Sequence, residues 1–234
     1  MTFIRNFSEK KNTANFSKKI DIESFANDFH KFSLQVYKKG AYIFLPNEDS
    51  QKIYLIKSGN VKIGNYGVSG KEITKNLLED GELFGESALM ENGHKRRDFA
   101  IATAKTTVYA IKKDDLHQLL KKHPELMVFI LRTIGQKKLE MERRLESLYF
   151  KDSRARVIEF LYKTGVKTGE KVGFETVVRK HMTHQEIANL TATSRQTVTT
   201  VLNELRNRNL ITFNRRRFLI RNMEALGQEG LVAV

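Results

Sequence analysis

The chain has 234 residues, 40% hydrophobic and 29% charged, a globular composition with length enough for one large core or two modest ones. It holds no cysteine, which excludes disulfides, thiolate-held iron–sulfur clusters and thiol catalysis. Its 41 Lys and Arg against 27 Asp and Glu leave a net charge of +14, which suits a polyanionic partner.

Residues 1–20 are rich in Lys, Asn and Ser without an apolar stretch, so a loosely ordered basic arm is expected there rather than a secretory signal. The longest apolar run, Leu126–Leu131, is six residues, far short of a membrane span. No membrane partner is expected, and the cytoplasm is the expected location.

From residue 34 to about 112 the chain reads as short strands punctuated by glycine. Apolar-rich runs occur at Ala41–Leu45, Ile53–Ile56, Val61–Ile63, Ile73–Leu78, Phe99–Ala102 and Val108–Ile111. Turn signals at Lys39-Gly40, Ser58-Gly59-Asn60, Ser69-Gly70-Lys71 and Asp80-Gly81 separate them. No helix of ordinary length fits between these turns, and the pattern predicts a closed β-structure, a barrel or roll, over 21–123.

The pattern then changes. From Asp114 the turns disappear, and after Pro124, a good first-turn residue, the chain reads as one helix over 124–150. Ile130, Ile134, Met141, Leu145 and Leu148 recur at spacings of 4, 7, 4 and 3, a stripe that Lys137 and Lys138 interrupt. Such a helix either packs on its own domain or forms the spine of a homodimer. Its length, linking a β-domain to a basic helical one, favours the spine.

Residues 151–234 carry 15 Lys and Arg against 8 Asp and Glu, a higher density of positive charge than the rest. Within them Thr183-His184-Gln185-Glu186 matches a capping box, followed by the apolar Ile187, Ala188 and Leu190. Thr191-Ala192-Thr193 forms a break, and Ser194 caps a second helix running to about Asn207. Val198, Val201, Leu202 and Leu205 give that helix a buried stripe and leave Arg195, Gln196, Thr199, Thr200 and Asn203 outward. Two short helices on so tight a turn predict a helix-turn-helix. Leu210–Phe213, the basic Asn214–Arg217 and Phe218–Ile220 then read as strand, turn and strand, a wing.

This arrangement resembles the cyclic-AMP receptor protein / fumarate-nitrate regulator family of bacterial transcription regulators over roughly residues 30–222. The resemblance is carried by Gly81-Glu82-Leu83-Phe84-Gly85-Glu86, by Arg97 with the following strand, and by Thr183–Ala188 and Ser194–Val198. It implies an α+β chain: an N-terminal cyclic-nucleotide-binding-like β-roll, a long dimerisation helix and a C-terminal winged helix-turn-helix. It implies a homodimer on a two-fold double-stranded DNA operator, with RNA polymerase as a further partner. Base contacts are expected from Arg195, Gln196, Thr199 and Thr200. Backbone contacts are expected from Thr183, Gln185, Ser194, Thr197, Arg215, Arg216 and Arg217. Relatives usually carry glutamate at the position of Gln196 and often arginine at that of Thr200, so the preferred half-site should differ here.

In nucleotide-binding relatives the residue matching Glu86, beside Gly85, holds the ribose, and that matching Arg97 meets the cyclic phosphate. Asp98 puts an anion beside that site, and Met141 and Glu142 stand where cyclic-AMP binders place Thr-Ser for the adenine. Cyclic AMP is therefore not expected as the effector. No cofactor is expected either: cysteines for a cluster are absent, and His94, His117 and His123, weighed as haem ligands, read as surface residues. The basic knot His94-Lys95-Arg96-Arg97 either attracts an anionic effector or is a solvated loop. A cyclic-nucleotide-gated enzyme subunit would lack the helix-turn-helix. No Gly-rich phosphate loop and no carboxylate cluster in 151–234 point to catalysis.

Overall fold

The computed structural model describes residues 30–67, 70, 72–89, 95–179, 182–214 and 217–231. The expected basic arm at 1–20, together with His94, Arg215 and Arg216, lies outside the described residues.

Strands β1 (Ser33–Tyr37), β2 (Tyr42–Phe44), β3 (Lys52–Ser58), β4 (Val61–Tyr66), β5 (Glu72–Leu78), β6 (Leu83–Phe84), β7 (Phe99–Ala102) and β8 (Thr106–Lys112) build the roll. They form two antiparallel sheets, ordered β1-β8-β3-β6 and β2-β7-β4-β5. Aromatic and β-branched side chains such as Phe44, Ile56, Val61, Phe84 and Val108 fill the space between the sheets. β1 is an addition to the expected strands. It is an edge strand that leaves Leu34 and Val36 exposed, so no buried alternation marks it. A single-turn 3-10 helix, Glu86–Leu89, interrupts the roll between β6 and β7.

Helices α1 (Lys113–Lys122) and α2 (Pro124–Phe150) follow, with Pro124 opening the second helix as expected. Leu116, Leu119, Leu126 and Ile130 pack with Ile53, Leu55 and Tyr109 in a second cluster under the roll. Ile130 is only 4% exposed there. It faces its own roll and does not belong to the expected seam, a correction to the sequence reading. Ile134, Met141, Leu145 and Leu148 are exposed, and so are Met127 and Leu131. Together with Lys138 they recur at 127, 131, 134, 138, 141, 145 and 148, an unbroken 4-3 heptad.

The C-terminal unit comprises α3 (Ser153–Thr168), β9 (Glu170–Val172), β10 (Glu175–Val178), α4 (His184–Thr191), α5 (Arg195–Asn207), β11 (Ile211–Phe213), β12 (Phe218–Ile220) and α6 (Met223–Leu231). Its sheet has the order β11-β12-β10-β9, so the wing hairpin extends a hairpin that the sequence reading left out. Ile158, Leu161, Ile187, Val198, Leu205 and Phe218 form one core beneath α3, α4 and α5. The α+β arrangement of roll, long helix and winged helix-turn-helix is thus the observed one.

Candidate nucleic-acid interface and effector site

The helix-turn-helix is set by local chemistry. Thr183 and Glu186 form a reciprocal capping box: Glu186 N–H donates to Thr183 Oγ1 at 3.1 Å, and Thr183 N–H donates to Glu186 Oε2 at 2.7 Å. The Thr183 hydroxyl spends its proton on the same carboxylate at 2.9 Å, so its side chain has none left for a phosphate. α4 ends at Ala192, in the left-handed conformation (φ 50°), and Thr193 N–H closes the turn onto Ala188 O. Ser194 then caps α5 by accepting from Thr197 N–H at 3.0 Å.

All four apolar residues of the α5 stripe are buried, which leaves Arg195, Gln196, Thr200 and Asn203 exposed on the opposite face. Thr199 is different. Its hydroxyl lies 2.9 Å from both Arg195 O and His184 Nδ1. One hydroxyl proton serves the carbonyl, so the imidazole Nδ1–H donates in turn to Thr199. Burial and the neighbouring Arg195 charge hold His184 below its ordinary pKa, consistent with a neutral ring packed edge-on against Phe213. Gln185 is exposed at the start of α4 and donates to Asn189 Oδ1, with one amide N–H to spare. In the wing, Asn214 and Arg217 close the turn through bonds of 2.9 and 3.0 Å, and the Arg217 side chain is exposed.

Arg156, on α3, ties this unit to the long helix. Its guanidinium donates to Lys151 O at 2.7 Å, on the link after α2, and to Thr191 O and Ala192 O at 2.9 and 3.1 Å, in the helix-turn-helix turn. A lone arginine on an amphipathic helix gives no sign of three carbonyl partners.

At the roll, Gly85 adopts φ +80°, and a Cβ there would come within 3.1 Å of Arg96 and Lys52 O, so a side chain would be strained and crowded. The arginine that enters this turn is Arg96, not Arg97. Arg96 is 3% exposed, donates to Gly85 O and Ser87 Oγ at 3.0 Å and to Lys52 O, and stacks 4.3 Å above the Phe44 ring. Lys95 and Arg97 are exposed, so the basic knot is split between core and surface. Asp98 pairs with Lys75 at 2.6 Å. Glu86 is held by Lys137 of α2 at 2.8 Å, and the same ammonium donates to Leu83 O at 2.9 Å. Met141 is exposed on the heptad face, and Glu142 pairs with Lys138 at 2.7 Å. His117 is exposed on α1, and His123 lies 3.3 Å from Glu125. Among the described residues no group of three His, Cys, Asp or Glu could hold a metal, and no helix is long and apolar enough to cross a membrane.

The cyclic nucleotide-binding domain family matches residues 34–123, and the Crp-like helix-turn-helix domain family matches residues 155–229. The solved structure of a CooA mutant from Carboxydothermus hydrogenoformans is similar with a TM-score of 0.77 and 26% identity, covering 87% of this chain and 90% of that one. The global nitrogen regulator of Synechocystis is 26% identical over 197 residues, 84% of this chain and 88% of its own. The cyclic AMP receptor protein of Thermus thermophilus is 32% identical over 174 residues, 74% of this chain and 77% of its own. With that identity over that span, and these two domain families in this order, the chain belongs to the cyclic-AMP receptor protein / fumarate-nitrate regulator family of DNA-binding transcription regulators.

Proposed function

We propose that the regulator works as a homodimer joined along α2 and reads a two-fold operator with one α5 in each of two major grooves. The carrying observation is the first turn of α5, where Arg195 and Gln196 stand in solvent on a helix whose apolar face is buried. Arginine pairs two donors with guanine O6 and N7, and glutamine suits adenine, which both donates and accepts. Arg195 and Gln196 thus specify bases, with Thr200 beside them. Gln185, Ser194, Thr197 and Arg217 lie on the flanks, where phosphate contacts set the register, and Arg215 and Arg216 are assigned to phosphate from the sequence alone. RNA polymerase is the further partner that a transcription regulator of this build engages.

Cyclic AMP is not the effector in this reading. The carboxylate of Glu86 already holds a lysine, Asp98 puts an anion beside Arg97, and Met141 and Glu142 offer the adenine no hydroxyl. The test of DNA reading is random-site selection with the wild type and Arg195→Ala. The variant should relax one base pair per half-site and cost about 1–3 kcal/mol of binding. An unchanged base preference would remove α5 as the recognition helix.

A further inference from the structure

Helix α2 carries two stripes. The heptad stripe, Met127 to Leu148, is exposed. A second stripe, at 126, 130, 133, 137, 144 and 147, is turned toward the chain's own body and is buried or half-buried, with the exposed Glu140 interrupting it. Its lower part is apolar and anchored in the roll core by Leu126 and Ile130. Its upper part is cationic: Lys137 bonds Glu86 and Leu83 O, and seven residues on, Arg144 donates to Lys75 O on β5. One turn further, Ser147 bonds Glu159 of α3 at 2.8 Å, which carries the rotational setting of α2 into the winged unit.

The geometry points to Lys137 as a built-in substitute for an effector, a positioning residue whose ammonium on Glu86 fixes the rotation of α2 with no small molecule bound. The inference rests on the reading of the chain as a dimeric DNA-binding regulator. A helix locked this way turns Met127, Leu131, Ile134, Met141, Leu145 and Leu148 outward together, as a partner helix requires. The first turn of α5 is exposed in the locked form, and the clamped state is taken as the DNA-competent one. A neutral ligand hydroxyl would have to displace a charge-assisted bond to reach Glu86.

The test uses the full-length chain, freed of copurified small molecules as judged by mass spectrometry after denaturation, and an operator obtained by random-site selection. The stripped wild type should bind that operator, and millimolar cyclic AMP or cyclic GMP should leave its affinity unchanged. Lys137→Met and Glu86→Gln should each weaken operator binding and dimerisation by about tenfold, a usual size for coupling between linked sites. The double variant should be no worse than either single one, and Lys137→Arg should retain most of the wild-type affinity. That non-additivity with rescue separates a clamp from a general loss of stability. Tighter operator binding by Lys137→Met would mean that the contact is an inhibitory lock and overturn the proposal, as would a wild type that binds only with nucleotide. If selection recovers no operator, the DNA-binding reading fails. The clamp then stands or falls on the dimer dissociation constant, which Lys137→Met should still raise.

Discussion

Thr199 lies one turn after Arg195 on the face of α5 that is turned outward, yet its hydroxyl is engaged on both sides, by Arg195 O and by His184. These bonds predict that it pins α5 to the start of α4 rather than reading a base. Thr199→Val should weaken binding to every sequence alike while random-site selection returns the wild-type half-site, and a shifted base at one position would contradict this. Periodicity made the face legible, since it gives the direction of a side chain from a helix. It says nothing of which hydroxyls on that face are already committed. The same limit applies at the roll. Arg96 and Arg97 are adjacent just before β7, and the first is buried while the second is exposed. Only one of them can enter the turn at Gly85, and a slip of one residue exchanges them. Composition does not distinguish the two. The contacts of Arg96 with Gly85 O, Ser87 and Phe44 do.

Among the elements, α2 shows how a helix can be located correctly and its faces misassigned. Pro124 and the loss of turn residues delimited it, and Phe150 ends it as expected. The apolar stripe read from sequence mixed two faces, because Ile130 sits one position before the heptad member Leu131 and both are apolar. What decides between them is the roll, whose Ile53, Leu55 and Tyr109 receive Ile130. The signal that could have resolved the faces was present in the 4-3 alternation from Met127 to Leu148, with Lys138 as its one polar member. A polar residue at one core position of a coiled coil commonly fixes register at a cost in stability. Two variants separate the faces. Met141, 63% exposed, lies on the seam of the proposed dimer, so Met141→Glu should place an unpaired charge between helices and dissociate the dimer while the melting of the roll is unaffected. Ile130→Ala should do the reverse, costing the roll about 2–5 kcal/mol through a core cavity and leaving the dimer assembled. Analytical ultracentrifugation with thermal unfolding reads both, and a Met141→Glu protein that remains dimeric would refute the seam.

Over the whole molecule, side-chain contacts connect the three parts with one another. Lys137 and Arg144 tie the roll to α2, Ser147 and Arg156 tie α2 to the winged unit, and Lys167 of α3 approaches Glu82 of the roll at 3.8 Å. Within the winged unit the last helix is held by ions. Arg154 of α3 donates to Glu204 of α5 at 2.6 Å and to Glu229 of α6 at 2.8 Å, and Arg208 grips Glu229 from the other side. These two arginines hold the Glu229 carboxyl at a pKa of about 2, against an ordinary 4.5. A carboxyl depressed on folding stabilises the fold fully above its unfolded pKa, and that contribution is lost as pH falls through the folded value. The contribution of Glu229 should thus be complete at neutral pH and fade between about pH 4.5 and about pH 2. Much of the network is open to solvent, so salt should weaken it as well. Glu229→Gln should accordingly lower the melting temperature at pH 7, and the gap to wild type should narrow as the solution is acidified through that window. Thermal unfolding of both proteins in a pH series measures this. A gap that stayed constant down to pH 2 would mean that packing of Leu226 under α6, rather than the arginine grip on Glu229, holds the helix in place.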